Sequence, residues 1–449
     1  MQKKINELKV FIGPQEVAGY YRNLTVGFKE LGISCDYMTL NDHPFNYGGQ
    51  SSKPLFLKLI YWLNNIKVNY YLPSLFYHTL TIASEFFRLI WALSLIFKYD
   101  VFIFGFGNSL MRKNLDLPLL KLFGKVVISN LGHGSEARPA YIDGSFQSFS
   151  GNDISIRRKF EISRKTHLKV NRHFKYSRYV IGSPMSTSQF AKSSFINFFA
   201  LGIPFTNLDQ SIASNLREEA DTQNDLDDYV RILHCPSHPA AKGTPIITSA
   251  INNLVKRGYK IQFVLIHGKS SSEVMKEIQL CDFVVDQVYS DTPMASFATE
   301  AAWFAKPAIV GGYGFDTLRS ILPSYSWPPS KTCHPDQVEH SIEELINNVA
   351  LRKKLGQDAK AFVQQRWHCI NVAQRYLSLI NSKVPESWWI NPYDVVYIEG
   401  ACQPICKTMY TIREIISRYG IDGLQLSHRP DLKSIILGKM TNQKDIQFG

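Results

Sequence analysis

Residues 230–244 read VRILHCPSHPAAKGT, a mostly apolar run that continues into a loop carrying a lysine, a glycine and a threonine. Short runs rich in β-branched and aliphatic residues are typical of strands that are buried on both faces of a parallel sheet. A helical pattern follows from about Pro245. The stretch therefore predicts a strand, a loop at the carboxyl end of that strand, and a helix, which together form one unit of an α/β sheet.

Similar units recur on both sides of this stretch. Further short apolar runs, separated by helical patterns, lie at Lys9–Gly13, Ile33–Met38, Asp100–Phe104, Lys125–Ser129, Arg178–Gly182, Ile261–Gly268, Asp282–Asp286 and Lys306–Gly311. A polar and acidic segment, Asn207–Tyr229, separates the two sets of runs, and its composition supports no core. The sequence predicts an α/β fold with two Rossmann-like, doubly wound parallel-sheet domains that face each other across a cleft.

The predicted domains have defined limits and a predicted site. We expect a first domain at residues 1–206, a linker at 207–229, a second domain at 230–380 and a C-terminal extension at 381–449. Ligands of doubly wound sheets bind outside the carboxyl ends of the strands. A cleft between the two domains is therefore the expected binding site.

Charge is distributed unevenly along the chain. The 449 residues include 50 Lys and Arg against 38 Asp and Glu, and 45% of the residues are hydrophobic, a share that excludes a disordered chain. Residues 1–200 hold 25 basic and 12 acidic side chains, whereas the remainder holds 25 basic and 26 acidic ones. This asymmetry indicates that the first half faces an anionic partner such as phosphate or lipid headgroups.

Two segments of the first half fit a membrane surface. Residues 55–97 are dense in aromatic and aliphatic side chains, with Lys53, Lys58, Lys67 and Lys98 nearby, and residues 157–178 hold nine basic residues against one acid, Glu161. Such a surface would bind anionic lipid, since apolar burial and headgroup attraction add. A core-facing helix and a solvated basic face explain the same residues, and the sequence leaves both interpretations open.

The sequence predicts neither a spanning helix nor a nucleic-acid site. Val68–Ser84 is uncharged but includes Asn69, Pro73 and His78, and Glu85 follows. No basic-region, zinc-finger or ribonucleoprotein motif accompanies the positive charge, so we expect no nucleic-acid partner. The N-terminal residues lack the apolar stretch of a secretory signal. We expect a cytoplasmic protein that lies peripherally at the inner face of the cytoplasmic membrane.

Two loops of the first half carry candidate site residues. Gly19 lies in the loop before the first predicted helix, where a residue without a side chain lets the backbone approach a ligand. His133 lies between two glycines at the end of a predicted strand, a position that we expect to expose its ring to a hydroxyl or phosphate. An ion pair between Glu136 and Arg138 that merely orders the loop is the alternative.

The second half carries a denser set of candidates. Lys242 stands beside Gly243 and Thr244 at a predicted helix start, where a cation and free backbone amides suit a diphosphate. Glu300 follows small residues in what we expect to be the first turn of a helix, and its carboxylate can accept hydrogen bonds from a vicinal diol. Ordinary surface or helix-capping roles remain the alternatives for both residues.

Three blocks of the second half resemble a known family. The blocks are HCPSHPAAKGT (His234–Thr244), CDFVVDQV (Cys281–Val288) and FATEAAWFAKPAIVGG (Phe297–Gly312). They resemble the donor half of GT-B glycosyltransferases of the large group 1 family, and most closely those of bacterial surface-polysaccharide assembly. A looser resemblance runs through the first half, so that about residues 8–380 are covered in order.

The resemblance implies a function and roles for the candidates. It implies transfer of a sugar from a nucleotide-sugar donor to a glycan or lipid-linked acceptor, with retention of anomeric configuration. Lys242, with Gly243 and Thr244, would hold the diphosphate, and Glu300 would bind the ribose diol. The further predicted residues are His133 at the donor sugar or phosphate, Gly19 on the acceptor side, and Asp286 and Thr292 in the donor site.

The chain departs from the family pattern at several positions. Many members have a glutamate facing the transferred sugar where this chain has Thr292, and an arginine where it has Ser237. These departures leave two further interpretations open: a non-catalytic GT-B-like partner that binds glycan or membrane, and a GT-B-shaped sugar-nucleotide epimerase.

We expect no metal or cofactor apart from the nucleotide-sugar substrate. The D-x-D motif at Asp225–Asp227 falls in the predicted linker rather than after a strand, and the seven cysteines are dispersed without a C-x-x-C pair. The sequence therefore predicts a metal-independent enzyme.

Overall fold

The computed structural model describes residues 7–40, 55–69, 73–206 and 229–442. The predicted linker lies outside these residues except for Tyr229, and so does the D-x-D motif within it.

Two sheets organise the described chain. The strands of the first sheet are β1 (Lys9–Ile12), β2 (Ser34–Tyr37), β3 (Val101–Gly105), β4 (Val126–Leu131), β5 (Tyr179–Gly182), β6 (Phe195–Asn197) and β12 (Trp389–Ile390). The strands of the second sheet are β7 (Val230–His234), β8 (Ile261–Leu265), β9 (Phe283–Gln287), β10 (Ala308–Gly311) and β11 (Lys331–Cys333). All pairings are parallel except that of β12 with β6, which is antiparallel.

Helices connect and cover the strands. Those up to residue 206 are α1 (Tyr20–Glu30), α2 (Leu55–Asn69), α3 (Ser74–Lys98), α4 (Leu117–Leu122), α5 (Ile156–Tyr176), α6 (Pro184–Thr187) and α7 (Phe198–Leu201). Those from residue 229 onward are α8 (Pro239–Lys242), α9 (Thr244–Lys256), α10 (Ser271–Leu280), α11 (Ser296–Trp303), α12 (Phe315–Ile321), α13 (Val338–Asn347), α14 (Val349–Arg366), α15 (Cys369–Ile380), α16 (Ile405–Tyr419) and α17 (Pro430–Asn442). Short 3-10 helices lie at Arg112–Asn114, Ala140–Ile142, Gly144–Phe146, Ser324–Ser326, Pro335–Gln337, Glu386–Trp388, Pro392–Asp394 and Ile421–Leu424.

Local sequence explains where several elements form. Every residue of β3 (VFIFG) is buried, as expected for a strand covered on both faces. Helix α5 begins where the Ser155 side chain accepts a hydrogen bond from the Arg158 amide. Helix α10 begins with a reciprocal capping box between Ser270 and Glu273. These caps satisfy backbone amides that have no partner within the helix.

Both sheets have the same doubly wound topology. The first sheet has the order β12-β6-β5-β4-β3-β1-β2, and the second has the order β11-β10-β9-β7-β8. In each, the first strand lies between its second and third strands, so the connections reverse direction between β1 and β3 and between β7 and β9. Ligands bind outside the carboxyl ends of the strands at such a reversal. The predicted α/β class with two parallel sheets is confirmed.

The end of the chain returns to the first sheet. Helix α15 packs against α1, and an added Cβ at Gly27 of α1 would lie only 2.2 Å from the Cys369 carbonyl oxygen, so a side chain there would separate the two helices. Strand β12 then extends the edge of the first sheet. Residues 369–380, which the sequence assigns to the second domain, thus pack against helix α1 of the first domain, because Gly27 of α1 lets Cys369 and Ala373 of α15 approach closely.

Candidate functional site

A cavity of about 300 Å³ lies between the two sheets, and we call it the main cavity. Its walls come from the loop after β1, the loops after β7 and β8, the end of β9 and the start of α11. The lining residues are Val17, Ala18, Cys235, Pro236, Ser237, Lys242, Gly268, Lys269, Ser271, Val274, Asp286, Ala295, Ser296, Phe297 and Glu300. The cavity therefore lies at the carboxyl ends of the strands, where the topology favours a ligand.

Lys242 and Asp286 meet in this cavity. The Lys242 Nζ donates a hydrogen bond to Gln287 Oε1 at 2.8 Å and lies 3.7 Å from Asp286 Oδ1. Asp286 is almost fully buried, whereas Lys242 is partly exposed. The two motifs come together because β7 and β9 pair in parallel, with Leu233 opposite Val284. The Lys242 ammonium group thus lines the cavity, and the side chains of Gln287 and Asp286 hold it in place.

Gly243 and Thr244 follow Lys242 but line a separate groove, together with Gln147 and Tyr289. Gly243 has a φ of 76°, and an added Cβ would lie 2.7 Å from the Val288 side chain, so the turn requires glycine. The Thr244 Oγ1 lies 2.9 Å from His234 Nε2. Because the chain turns at Gly243, the structure does not bring these two predicted diphosphate ligands to the main cavity.

Glu300 lines the main cavity, but not from the turn that the sequence predicted. Helix α11 begins at Ser296, because Ala295 is extended, so Glu300 is the fifth residue and lies in the second turn. Its side chain is buried and also lines a smaller adjoining cavity of about 100 Å³. The predicted helix-start position is therefore wrong, while Glu300 and Lys242 do line one cavity.

Gly19 lies in the wall of the smaller cavity. It precedes α1 with a φ of 80°, and Arg22 of α1 lines the same cavity. Glu300 and Ser271 line it from the second sheet. The loop after β1, which the sequence predicted to approach a ligand, thus lies beside Glu300, the residue predicted to bind the ribose.

His133 lines neither of these cavities. Its Nε2 lies 2.9 Å from the Tyr21 hydroxyl, and its ring packs against Tyr20, Phe106 and Phe198. Burial lowers the pKa of His133 to about 3, so the imidazole is neutral at physiological pH. The ring is half-buried rather than freely exposed as expected, because aromatic side chains from α1, from the loop after β3 and from α7 pack around it.

Thr292 is held within its own loop. Its amide donates to Ser290 Oγ at 3.1 Å, and its hydroxyl donates to the Met294 carbonyl at 3.3 Å. It does not line the main cavity. At the position where the family pattern has a sugar-facing glutamate, this chain therefore has a hydroxyl that already has a partner.

Arg138 joins the two sheets through an ion pair that the sequence did not predict. Its Nε donates to Asp291 Oδ2 at 3.1 Å, and its guanidinium also pairs with Asp143 Oδ1 at 3.1 Å. Glu136 is not its partner; instead, Glu136 Oε1 accepts a hydrogen bond from the His133 amide at 2.7 Å. Burial raises the pKa of Glu136 to about 7. The proposed Glu136–Arg138 pair is thus replaced by a pair between domains.

Two more contacts hold the sheets together beside the site. His238 accepts a hydrogen bond from the Ala241 amide through Nδ1, so its Nε2 carries the proton that is donated to the Gln147 carbonyl at 2.8 Å. The Cys402 amide of the C-terminal segment donates to the Tyr289 carbonyl at 2.8 Å, and its carbonyl accepts from Gln147 Nε2 at 2.9 Å. The chain beyond residue 380 therefore forms part of the interface between the sheets.

Lys269 is a cavity residue that sequence reasoning missed. It follows β8 and lies 3.2 Å from Glu273 at the start of α10. Ser237, Ser271 and Ser296 add hydroxyl groups to the same walls. The run HGKSSSE at the carboxyl end of a predicted strand was the available signal, because that edge of a parallel sheet is where ligands bind. Within the described ranges, no group of three or more His, Cys, Asp or Glu side chains could hold a metal ion.

Comparison with curated proteins returns a relative that is named as a glycosyltransferase. No protein-family model matches the chain. An uncharacterized glycosyltransferase of Methanocaldococcus jannaschii is 31% identical over 115 residues, which are 25% of this chain and 31% of that protein. The match thus spans about a third of the length of this curated relative.

Solved structures of similar shape cover most of the chain at low sequence identity. Anabaena HepE in complex with UDP and glucose is 11% identical, covers 84% of this chain and 100% of its own, and has a TM-score of 0.49. The catalytic domain of Arabidopsis thaliana starch synthase IV, bound to ADP and acarbose, is 12% identical, covers 84% and 99% respectively, and has a TM-score of 0.49. By its own topology, with two doubly wound sheets facing across a cavity and a chain end that returns to the first sheet, the protein has the GT-B fold that its sequence predicted.

Proposed function

We propose that the protein is a glycosyltransferase that moves a sugar from a nucleotide-sugar donor to an acceptor hydroxyl. The observation that carries the proposal is the position of Lys242 and Glu300 on the walls of one cavity at the carboxyl ends of the second sheet. The volume of about 300 Å³ suits a small-molecule ligand.

The donor nucleotide is assigned to the main cavity by charge. Lys242 and Lys269 supply two cations for a diphosphate, and the hydroxyls of Ser237, Ser271 and Ser296 supply donors. The Glu300 carboxylate can only accept hydrogen bonds when ionised, which suits a ribose diol rather than a phosphate. Cationic groups and a carboxylate thus line the same cavity, as a nucleoside diphosphate with a ribose diol requires.

The reaction breaks the bond between the anomeric carbon and the diphosphate oxygen while an acceptor hydroxyl attacks that carbon. Negative charge develops on the departing diphosphate, and the Lys242 ammonium stabilises it from a position already held by Gln287 and Asp286. A fixed lysine supplies this charge without a metal ion, so metal independence is part of the proposal. Retention of anomeric configuration is also part of it and rests on the family resemblance.

For the acceptor and the cellular location we propose a general class only. We infer a glycan or lipid-linked acceptor, in the assembly of a bacterial cell-surface polysaccharide at the cytoplasmic side of the membrane. The support is the resemblance of residues 234–312 to enzymes of that pathway, together with the cationic first half of the chain.

Donor binding is tested first, and sugar transfer is tested second. The purified protein is first screened for thermal stabilisation by UDP-, GDP- and ADP-sugars, because a ligand that binds only the folded state raises stability by mass action. Transfer from the selected donor is then measured with and without EDTA, and the anomeric configuration of the product is read by NMR. Absence of stabilisation by every nucleotide sugar would contradict the proposal, and loss of activity in EDTA would contradict metal independence.

A further inference from the structure

Helices α2 and α3 form a hairpin. The half of the hairpin that includes the N-terminal part of α3 projects from the protein surface. The C-terminal half of α3 covers the first sheet through the buried residues Trp91, Leu95 and Ile96. The N-terminal half does not, since every residue from 73 to 79 is exposed. The large apolar side chains that are exposed along the hairpin are Trp62, Leu75, Phe76, Tyr77, Ile82 and Phe86, with Leu55 and Phe97 at the opposite end.

In the first turns of α3 the exposed apolar residues surround the helix rather than form one stripe. Leu75, Phe76 and Tyr77 are 79%, 51% and 42% exposed, and consecutive residues point about 100° apart around a helix. A folded protein partner covers one side of a helix, whereas lipid surrounds all of it. Helix α3 is also, by length and composition, long and apolar enough to cross a membrane, and only 28% of its most apolar 18-residue stretch is buried.

Two hydroxyl groups on this half of the helix are hydrogen-bonded to the backbone of the helix itself. The Thr79 hydroxyl donates to the Phe76 carbonyl at 2.8 Å, and the Thr81 hydroxyl donates to the Tyr77 carbonyl at 2.8 Å. Hydroxyls bonded back to the helix lower the cost of placing it in a medium that offers no hydrogen bonds.

A cluster of cations lies halfway along α3, where the helix leaves the sheet. Arg88 and Arg112 share one acid, Glu85, at 3.7 Å and 3.8 Å. Burial lowers the pKa of Lys67, and repulsion from Arg112 and Arg88 adds to that shift, so the three cations lie close together. Three positive charges against one negative charge leave an excess that suits anionic headgroups.

We propose that the α2–α3 hairpin is a membrane anchor: the N-terminal half of α3 enters one leaflet of an anionic bilayer, Trp62 lies at the lipid interface beside it, and the cluster of Lys67, Arg88 and Arg112 binds lipid phosphates. The part from Leu75 to Ser84, which ends before Glu85, is about 15 Å long, at about 1.5 Å per residue. The hydrocarbon core is about 30 Å thick, so this part reaches through one leaflet without crossing. The anchor does not depend on the proposed sugar transfer.

Vesicle flotation tests the apolar part of the anchor. We expect the full chain to float with vesicles of phosphatidylcholine and phosphatidylglycerol. The double variant Phe76→Ser, Ile82→Ser should lose at least tenfold in partitioning, because two large exposed side chains would no longer be buried in lipid. The control, Val255→Ser, Tyr410→Ser, changes two similarly exposed residues elsewhere and should float as the wild type does. Equal flotation of the two double variants would overturn the proposal.

The binding of the cation cluster to anionic lipid and the depth of insertion are tested separately. The variant Lys67→Glu, Arg112→Glu should lose the preference for anionic over neutral vesicles, whereas Lys256→Glu, Lys360→Glu should keep it. Quenching of tryptophan fluorescence by brominated lipid should fall in Trp62→Phe. Unchanged quenching in that variant would contradict insertion.

A second copy of the chain is the competing occupant of the hairpin. Light scattering of the free protein distinguishes it: a dimer that the Phe76→Ser, Ile82→Ser variant dissociates, with no flotation of the wild type, would overturn the membrane proposal. The thermal unfolding midpoint of each variant should match that of the wild type, since all the substituted side chains are exposed or partly exposed.

Discussion

Arg138, in the loop after β4 of the first sheet, donates a hydrogen bond to Asp291, in the loop after β9 of the second sheet. Both residues are almost fully buried, and the same guanidinium pairs with Asp143. The pair lies at the carboxyl edge of both sheets, as the main cavity does. It therefore fixes how the two walls of the cavity stand relative to each other.

Removal of this arginine should strongly destabilise the protein. Arg138→Ala leaves the Asp291 and Asp143 carboxylates buried without their cation, which typically costs about 3–5 kcal/mol. The free energy of unfolding in urea measures the loss. Arg418→Ala is the control, because it removes an exposed pair with Glu414, and it should cost about 1 kcal/mol or less. A similar loss in the two variants would show that the buried pair adds nothing to stability.

Loss of the cavity lysine should weaken binding of the diphosphate in particular. Lys242→Ala removes a charged hydrogen-bond donor worth about 1.5–3 kcal/mol, which corresponds to roughly 10- to 100-fold in the Kd of a nucleoside diphosphate. Binding of the matching nucleoside without phosphates should change little. Lys256→Ala, an exposed lysine at the end of α9, serves as the control and should bind both ligands as the wild type does. An unchanged Kd for the diphosphate in Lys242→Ala would remove this residue from the site.

The role of Glu300 is tested by comparing the binding of a ribonucleotide with that of its 2′-deoxy form. If the carboxylate accepts hydrogen bonds from a ribose diol, the wild type should bind a ribonucleoside diphosphate about tenfold more tightly than its 2′-deoxy form, since one hydrogen bond to a charged group is lost. Glu300→Ala should bind both forms with the same weaker affinity. Titration calorimetry of the two ligands measures the ratio, and a ratio that persists in the variant would contradict the assignment.

Buried histidines should make the fold sensitive to acid. Burial lowers the pKa of His173 to about 4, while its ring lies 2.7 Å from Ser129 Oγ and 2.9 Å from Asn114 Nδ2. The unfolded chain binds a proton at this histidine below about pH 6.5, whereas the folded chain does not. Stability from this group is therefore complete above pH 6.5 and is lost as the pH falls towards 4.

The slope of the free energy of unfolding against pH measures this effect. In His173→Gln, the free energy of unfolding between pH 6 and 4.5 should fall less steeply, by up to about 1.4 kcal/mol per pH unit, because one proton fewer is taken up on unfolding. The slope is informative even if the variant is less stable overall. Identical slopes in the variant and the wild type would contradict a lowered pKa.

Several features of the site followed from pattern alone. Apolar runs of five to eight residues predicted nine of the twelve described strands and missed the short strands β6, β11 and β12. The rule that ligands bind at the carboxyl ends of parallel strands pointed to Lys242 and Glu300. The same rule would have found Lys269, which follows β8. Glu300 was predicted one turn too early, because Ala295 and Ser296 do not signal clearly where α11 begins.

Local sequence thus determined the α/β class, the order of strands and helices and the loops that carry polar groups, because backbone sterics and the periodicity of apolar residues act over a few residues. Tertiary structure alone decided that Arg138 reaches Asp291, 153 positions away, and that aromatic side chains pack around the half-buried ring of His133. It also decided that Gly243 and Thr244 turn away from the main cavity and that α15 returns to α1. These outcomes depend on how two sheets pack against each other, a balance of burial and charge among residues that are far apart in the chain.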